Sequence, residues 1–377
     1  HGGGTKSRAM AGVATALPQD TLVSATNPAG MAFLGRRSDI GFSFFSPSDR
    51  GYEANPDFAT QAVPATDGAG NDFNVQFPAG GFVTPGKFES DSDWFLIPSL
   101  GYNHPLNDRM TIGVSIYGNG GMNTDYSNAI WENFAPAPNQ QVVNGQPVFA
   151  TVPPGTPPQL GGRILIQDGQ PVPITQPIPG GQNGNPGGFL TATEPTGVNL
   201  EQLFVEIPFT IKIGDGKQAF GIAPVFAAQS FEAEGLQPFR AASVDPNKVT
   251  NNGKDWSYGF GVHVGWYGEV TDQLALGLSY RTKMWMSDFD EYSGLFANGG
   301  SFDIPAMLNF GLAYKVRPDV TVAFDYQRIF YDEIDAISNS NDLDLTPCFG
   351  ANPIPSFCLG GKSGLGFGWD SMDVFKL

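Results

Sequence analysis

Residues 273–286 read QLALGLSYRTKMWM and alternate between apolar side chains and small or polar ones. One parity holds leucine, tyrosine and the two methionines, and the other holds Arg281, Lys283 and Trp285 together with alanine, glycine and serine. Successive side chains of a β-strand point to opposite faces, so this pattern predicts a strand with one apolar and one small, polar face. The same alternation occurs in residues 256–266 before it and in residues 308–315 and 320–327 after it.

The connections between such stretches alternate between short and long. The short connections are residues 107–109, 214–217, 270–273 and 317–319, and the long ones are residues 46–93, 118–199, 231–255, 289–301 and 332–364. A transmembrane β-barrel has tight turns at one end and long extracellular loops at the other. A soluble β-sandwich also alternates, but its solvent-exposed face is usually rich in Lys, Glu and Thr, whereas the second face here is mostly Gly, Ala and Ser. The predicted fold class is therefore all-β, a transmembrane antiparallel β-barrel over residues 39–377.

Composition narrows the classes of function. The chain has 20 Lys plus Arg against 37 Asp plus Glu, a net charge of −17, which disfavours nucleic acid as a partner. No Gly-rich phosphate loop follows a strand and opens a helix, and we predict no cofactor and no metal site. Cys348 and Cys358 lie in one long loop and predict a disulfide in an oxidising compartment, with two unpaired thiols as the alternative.

Residues 1–38 do not alternate and are rich in small side chains. Asp20 to Ala25 predicts a short helical turn, and the sequence Asn27-Pro28-Ala29-Gly30 predicts a rigid corner because proline disfavours a helix continuing through Asn27. A compact segment of small residues ahead of the first strand is what a plug inside a barrel would look like. We therefore predict a separate N-terminal domain at residues 1–38.

The segments GTKSR (4–8), ALPQD (16–20) and TNPAGM (26–31) resemble the N-terminal hatch of the FadL family. Those proteins are outer-membrane transporters of long-chain fatty acids and other hydrophobic compounds in Gram-negative bacteria. The resemblance continues through IPSLGY (97–102), LGLSYRTK (276–283), FDIP (302–305), DYQRI (325–329) and GWD (368–370). It implies a barrel of about fourteen strands, whereas the pattern here gives about ten, the last at residues 367–377. We therefore expect about four C-terminal strands to be missing from this sequence.

The resemblance implies capture of ligand at external loops, internal binding and passive exit sideways through a gap in the barrel wall. In the family this gap comes from a kink in the third strand, which corresponds here to Gly118, Asn119, Gly120 and Gly121, although these residues could equally begin the loop. Arg281 and Lys283 are candidates for an anionic head group, with ordinary pairing to Glu206 or Asp325 as the alternative. Candidate hydrophobic ligand-lining residues are Met31, Phe33, Leu34, Phe231, Leu236 and Phe239. Asn27, Pro28 and Ala29 are expected to hold the hatch in place.

The expected ligand is a long-chain fatty acid or a hydrocarbon, and the expected surroundings are outer-membrane lipid and lipopolysaccharide. We expect a monomer that crosses the bacterial outer membrane many times. The sequence does not distinguish a fatty acid from an alkane or an aromatic hydrocarbon. A diffusion porin for polar solutes is the main alternative, although a plug counts against it. A barrel enzyme, using His263 beside Ser257 or Ser279, and an adhesin, using the Pro-rich second loop, are further alternatives, and we predict no enzyme activity.

Overall fold

Twelve strands form one antiparallel sheet in a computed structural model of the chain. The structure describes residues 3–47, 50–54, 60–66, 72–78, 86–127, 141–143, 146–148, 165–167, 170–171, 195–342, 346–348 and 353–377. The strands are β1 (Arg37–Phe45), β2 (Phe95–Pro105), β3 (Met110–Tyr126), β4 (Thr196–Glu206), β5 (Phe209–Ile213), β6 (Gln218–Glu234), β7 (Asp255–Glu269), β8 (Leu274–Arg281), β9 (Trp285–Met286), β10 (Met307–Arg317), β11 (Val320–Ile329) and β12 (Met372–Lys376).

Neighbouring strands of this sheet follow the order β1-β2-β3-β4-β6-β7-β8-β10-β11-β12. The two remaining strands continue others: β5 pairs with β3 and β6, and β9 pairs with β7. The predicted antiparallel barrel fold and the count of about ten strands in this chain are confirmed. The last strand begins at Met372 rather than at the predicted residue 367, because residues 353–371 pack in the loops instead.

The tight turns join β2 to β3, β5 to β6, β7 to β8 and β10 to β11, as predicted. The long connections contain three small separate sheets. Their strands are Gly51–Ala54 with Gly86–Glu89, Thr60–Thr66 with Asp72–Pro78, Leu165–Gln167 and Gln170–Pro171, and Gln141–Val143 with Gln146–Val148.

The helices of the described residues are short. The α-helices are α1 (Thr5–Ala9), α2 (Ala297–Gly300) and α3 (Asp335–Ser338), and the 3-10 helices are Thr21–Ala25, Pro28–Phe33, Gln237–Ala242, Pro246–Lys248, Asp290–Tyr292, Tyr331–Glu333, Thr346–Cys348 and Pro355–Phe357. Within the part of the chain that the structure covers, no helix has the length and apolar character needed to cross a membrane.

Two predicted strand boundaries were wrong. The second long loop does not begin at residue 118, because β3 runs on to Tyr126, which pairs with Thr196 at the start of β4. Residues 203–213 also alternate and predict a single strand, but the strand begins earlier, at Thr196, and is interrupted at Ile207 and Pro208. The interruption follows from chemistry, since Pro208 has no N–H to donate to the ladder.

The alternation of faces is present in the folded strands. On β6, Phe220, Ile222 and Phe226 are exposed on the outer face, while Ala223 and Val225 between them are fully buried. Exposed aromatic and aliphatic side chains on successive strands are what a lipid-facing surface requires.

The predicted parity fails at one place, between β8 and β9. β7 pairs His263 with Arg281 and Phe260 with Trp285, so one strand advances three residues while its partner advances four. The extra residue exchanges the two faces, since the side-chain period of a strand is two. Met284 is consequently fully buried and Trp285 is 48% exposed, the reverse of the prediction.

The N-terminal segment, residues 3–36, lies against the inner face of the sheet on a row of glycines. A Cβ atom on Gly277 would lie 2.1 Å from the carbonyl oxygen of Thr15, and one on Gly265 would lie 2.1 Å from Asn27 Oδ1. The segment also approaches four other glycines of this face: Gly101, Gly113, Gly221 and Gly311. The small residues on this face are therefore a packing surface for the N-terminal segment.

Polar side chains of the strands bind the main chain of the segment. The Asp325 carboxylate accepts hydrogen bonds from the Ala14 and Thr15 N–H groups at 2.8 and 2.9 Å and from Thr15 Oγ1 at 2.8 Å. Asn103 Nδ2 donates to the carbonyls of Met31 at 3.0 Å and Gly35 at 2.7 Å. The main chain of this segment belongs to no strand and no long helix, so its N–H and C=O groups need other hydrogen-bond partners. The side chains of Asp325 and Asn103 supply them.

Asn27 fixes the corner that the sequence predicts. Its Nδ2 donates to the carbonyls of Thr15 and Trp266, both at 2.9 Å, and its Oδ1 accepts from the Ala29 N–H at 3.1 Å. Asn27 thereby caps the helix Pro28–Phe33, with Pro28 in its first turn, where a missing N–H costs nothing. Asp20 caps the preceding helix Thr21–Ala25 in the same manner.

Candidate functional site

A β-bulge interrupts β3 at Asn119. Gly118 pairs with Leu203 and Gly120 with Gln202, which leaves Asn119 as an extra residue on β3. Its side chain donates from Nδ2 to Gln202 Oε1 at 3.1 Å. A bulge bends its strand and increases the local twist. The glycine-rich stretch at residues 118–121 therefore lies within a strand in the structure and not at the start of a loop.

Five side chains meet on the inner face beside the bulge, and we call Tyr117, Asn119, Glu206, His263 and Arg281 the polar cluster. Glu206 Oε1 accepts a hydrogen bond from the Tyr117 hydroxyl at 2.9 Å and lies 3.1 Å from His263 Nδ1. Glu206 and His263 are completely buried, and Tyr117 and Arg281 are each 4% exposed. A carboxylate and a guanidinium are thus held out of water with few partners.

Arg281 reaches across the barrel interior. It lies on β8, whereas Asn119 lies on β3, and β4, β6 and β7 separate these strands in the sheet. Arg281 Nη1 nevertheless donates to Asn119 Oδ1 at 3.4 Å, and its guanidinium carbon lies 4.6 Å from the centre of the Phe204 ring. The guanidinium therefore bridges opposite sides of the wall at the level of the bulge.

The polar cluster leaves hydrogen-bonding capacity unused. Glu206 Oε2, His263 Nε2 and Arg281 Nε are buried and have no hydrogen-bond partner. Buried polar atoms are bonded in the great majority of cases, so three such atoms on side chains of one cluster call for an explanation. Asp325 Oδ1 and Asn103 Oδ1 are also unpartnered, but each belongs to a side chain whose other polar atom binds the N-terminal segment.

Apolar side chains surround the polar cluster. Phe204 packs edge-on against Tyr117, with ring centres 5.7 Å apart. The buried members of this group are Leu22, Tyr117, Phe204, Val225, Ala227, Met284 and Ile304, with Ala25 and Met286 packed against them. Met284 is part of this lining only because of the shift in register after Arg281. The arrangement combines an apolar wall with a few polar atoms, which is the usual character of a small-molecule site.

The structure does not bring Arg281 and Lys283 together, contrary to the prediction. Lys283 lies in the irregular step after β8, and its Nζ is 2.8 Å from Asp303 Oδ2. The two acids considered as ion-pair partners of Arg281 and Lys283 also lie in different places. Glu206 belongs to the polar cluster with Arg281, whereas Asp325 binds the N-terminal segment.

The predicted ligand-lining residues fall at two ends of the barrel. Met31 and Leu34 pack with Ala14 and Val23 in the N-terminal segment, and Phe33 packs on Tyr267 near the tight turns, with ring centres 4.6 Å apart. They do not share one surface with the residues that follow β6.

Phe231 and Leu236 belong to a second apolar group at the end that carries the long loops. Phe231 lies 4.7 Å from Phe296 and 4.8 Å from Tyr292 between ring centres, and Leu236 packs against the same group. Phe239 lies in the 3-10 helix Gln237–Ala242 and is half-buried. We call the group around Phe231 the loop-end aromatic cluster; its other buried members include Leu200, Phe289 and Ile337.

The remaining predicted site residues lie apart from the polar cluster. Cys348 and Cys358 form a disulfide, with 5.4 Å between their Cα atoms. The Ser257 hydroxyl donates to the carbonyl of Ser287 and the Ser279 hydroxyl to the carbonyl of Thr26, so both bind main chain while His263 contacts Glu206. Across the described ranges, no three His, Cys, Asp or Glu side chains are grouped as metal ligands would be.

Residues 2–150 match a protein family described as "Outer membrane protein transport protein (OMPP1/FadL/TodX)". The predicted resemblance to the FadL family is confirmed. That description is of outer-membrane transport proteins. No curated protein sequence matches the chain.

Solved structures of the same fold cover most of the chain. The toluene transporter TodX of P. putida is 16% identical, with a TM-score of 0.50, and the match covers 89% of this chain and 71% of that one. The toluene transporter TbuX of Ralstonia pickettii is 14% identical, with a TM-score of 0.50, and the match covers 88% of this chain and 72% of that one. At these identities the likeness concerns the fold.

Proposed function

We propose that this protein is a channel for passive uptake of hydrophobic compounds across the outer membrane, with internal binding beside the polar cluster and exit sideways at the bulge of β3. The single observation that carries the proposal is the position of that bulge. Asn119 interrupts the wall directly beside a buried, apolar-lined site, while the N-terminal segment is bound to the inner face by Asp325, Asn103 and Asn27.

The energetics of such passage require no cofactor or energy source. Burying alkyl carbon yields roughly 0.8 kcal/mol per CH₂, so apolar sites of increasing depth can draw a ligand inward from the surface. The loop-end aromatic cluster around Phe231 and Leu236 is the first such site in this scheme, and the apolar lining around Phe204 and Met284 is the second. Lipid outside the bulge is the final apolar environment.

Residues 1–38 act as the hatch in this proposal. Asn27, Pro28 and Ala29 hold its corner on Gly265 and Gly221 of the wall, so that the hatch limits straight passage along the barrel axis. A porin for polar solutes, the alternative function, needs an open polar interior. The close seating of the segment on the inner glycines favours the channel with lateral exit.

Arg281 is the candidate contact for a polar group on the ligand, because it faces the interior and Nε has no partner. Lys283 is not assigned this role, since its charge is balanced by Asp303. The long-chain fatty acids and hydrocarbons expected from the sequence are both compatible with the apolar lining.

Uptake measurements test the proposal. We would express the chain in a Gram-negative host that lacks such channels and follow entry of radiolabelled toluene and oleate. Deletion of Asn119, which restores a regular register between β3 and β4, is expected to reduce uptake by about tenfold or more. The matched control is Asn119→Ala, which keeps the extra residue and should transport normally.

Two outcomes would contradict parts of the proposal. Normal uptake by a correctly inserted deletion variant would exclude exit at the bulge. Failure of the wild-type protein to raise entry of either compound, together with swelling of proteoliposomes in small sugars, would favour the porin instead. Insertion would be checked by the shift in gel mobility that folded barrels show on heating.

A further inference from the structure

The unused hydrogen-bonding atoms of the polar cluster point to the kind of ligand that it binds. Glu206 Oε2 is an acceptor and Arg281 Nε is a donor, and His263 Nε2 is one or the other according to its tautomer. Glu206 contacts His263 directly and accepts a hydrogen bond from the Tyr117 hydroxyl. The Arg281 guanidinium lies over the Phe204 ring, which packs against Tyr117. A ligand group that both donates and accepts would complete the set.

The charge balance of the cluster disfavours an anionic ligand. Glu206 already places one carboxyl group in the same buried cluster as the single guanidinium of Arg281. A carboxylate entering the site would bring a second carboxyl group next to Glu206 in a region of low dielectric constant. An unbalanced buried charge is costly, whereas a neutral group adds no charge.

A neutral hydroxyl matches both requirements. Its O–H can donate to Glu206 Oε2 while its oxygen accepts from Arg281 Nε–H. The apolar body attached to it would lie among Tyr117, Phe204 and Met284, whose aromatic rings and thioether suit a ring-shaped ligand.

We propose that the polar cluster is a binding site for the hydroxyl group of a neutral hydrophobic ligand, a phenol or an alcohol, in preference to a carboxylate. The inference rests on the proposed channel function and narrows its substrate class. The Arg281 guanidinium is a ligand contact in this site, and Glu206 is the acceptor that distinguishes a hydroxyl from a bare hydrocarbon.

Three ligands that share one methyl-substituted benzene ring test this inference: toluene, p-cresol and 4-methylbenzoate. Their dissociation constants for the detergent-purified full chain would be measured by equilibrium dialysis with radiolabelled compounds. We expect p-cresol to bind about tenfold or more tightly than toluene, since its hydroxyl bonds to charged, buried partners. We expect 4-methylbenzoate to bind most weakly of the three.

The decisive variant is Glu206→Gln, with Glu201→Gln as the matched control. Glu201 lies on the same strand, but its side chain is exposed and pairs with Lys254. Glu206→Gln should abolish the preference for p-cresol over toluene, and Glu201→Gln should preserve it. Should Glu206→Gln fail to fold, Arg281→Met provides a second variant with the same expected loss of preference.

Equal binding of toluene and p-cresol, or a preference that persists in Glu206→Gln, would overturn the hydroxyl site. Tightest binding of 4-methylbenzoate would overturn it too, and would make Arg281 a carboxylate anchor. Binding of none of the three would mean that the buried atoms are satisfied by water alone. Toluene or oleate uptake in cells separates these failures from failure of the channel itself, since uptake would continue if only the hydroxyl site were wrong.

Discussion

The inner face of the barrel has two regions that use polar side chains differently. Where the N-terminal segment is seated, Asp325, Asn103 and Asn27 bind main-chain groups, mostly at 2.7–3.1 Å. In the polar cluster, side chains contact other side chains, and the bond of Arg281 to Asn119 is long at 3.4 Å. Because the bonds of the first region go to a fixed backbone, that region has a structural role and holds the N-terminal segment in place. Loosely satisfied side chains in the second region leave room for a ligand to compete.

Among the tests of this comparison, we expect the largest effect at the inner-face glycines on which the N-terminal segment packs. Gly277→Ala would place a Cβ 2.1 Å from the Thr15 carbonyl oxygen, a backbone atom that cannot rotate away. We expect the N-terminal segment to be displaced, at a cost of about 3 kcal/mol or more, and the yield of folded barrel to fall. Heat-modifiable gel mobility and protease sensitivity of residues 3–36 would measure both effects.

Gly120→Ala is the matched control at the bulge. The nearest atom to its new Cβ is Gln202 Oε1 at 3.5 Å, an ordinary contact with a flexible side chain. This variant should fold like the wild type. If Gly277→Ala and Gly120→Ala lowered the yield of folded barrel equally, the N-terminal segment would not pack closely on Gly277.

Two isosteric changes compare the acids of the two regions directly. Asp325→Asn weakens three hydrogen bonds to Ala14 and Thr15, and we expect a loss of about 2–4 kcal/mol in the free energy of unfolding. Glu206→Gln removes a carboxyl group that is buried in the same cluster as the Arg281 guanidinium, so we expect a loss of similar size, about 3 kcal/mol or more. Denaturant titrations in detergent would give both values. Only Asp325→Asn should raise the protease sensitivity of residues 3–36, and equal sensitivity in the two variants would refute the distinction between the structural region and the ligand site.

A smaller effect is expected for Lys283. Its ion pair with Asp303 is partly exposed, so Lys283→Met should lower stability by less than about 1 kcal/mol. Because this charge is already balanced, the variant should bind p-cresol, toluene and 4-methylbenzoate like the wild type. A selective loss of 4-methylbenzoate binding would restore Lys283 as a head-group contact.

The smallest effect concerns the tight turns, where Lys217 Nζ lies 2.7 Å from Asp272 Oδ1. The hydrogen bond from Lys217 lowers the pKa of the exposed Asp272 carboxyl, and the same bond raises the pKa of Lys217. A lowered carboxyl pKa stabilises the fold above the carboxyl's ordinary range, and the contribution disappears as pH falls through the folded value.

Asp272→Asn should therefore lower the melting temperature slightly at pH 7 and not at a pH below the lowered folded pKa, where the carboxyl is protonated in both states. High salt should remove the difference at pH 7, because the pair is exposed. A difference of the same size at both pH values would show that the ion pair is not its source.

Much of the fold follows from the sequence because a period of two is visible without knowledge of long-range pairing. The alternation in residues 273–281 and the four tight turns predict the antiparallel sheet, and the Asn27-Pro28 corner predicts the break between two short helices. Glu206 and His263 were visible as inward-facing polar residues, and the isolation of His263 on a face of Gly and Ser was the signal that could have marked it as a site residue. Sequence reasoning treated them separately because nothing along the chain relates residue 206 to residue 263.

By itself, then, the sequence determined which residues face lipid, where the strands turn and which segment occupies the interior, since these depend on local pattern and on the chemistry of proline and glycine. Only the tertiary structure decided the register. One extra residue after Arg281 turns Met284 inward and separates Lys283 from Arg281, and another at Asn119 interrupts β3. It also decided the polar cluster, because Arg281 meets Asn119 across the inner face of a curved sheet, a distance set by the curvature of the wall and not by sequence spacing.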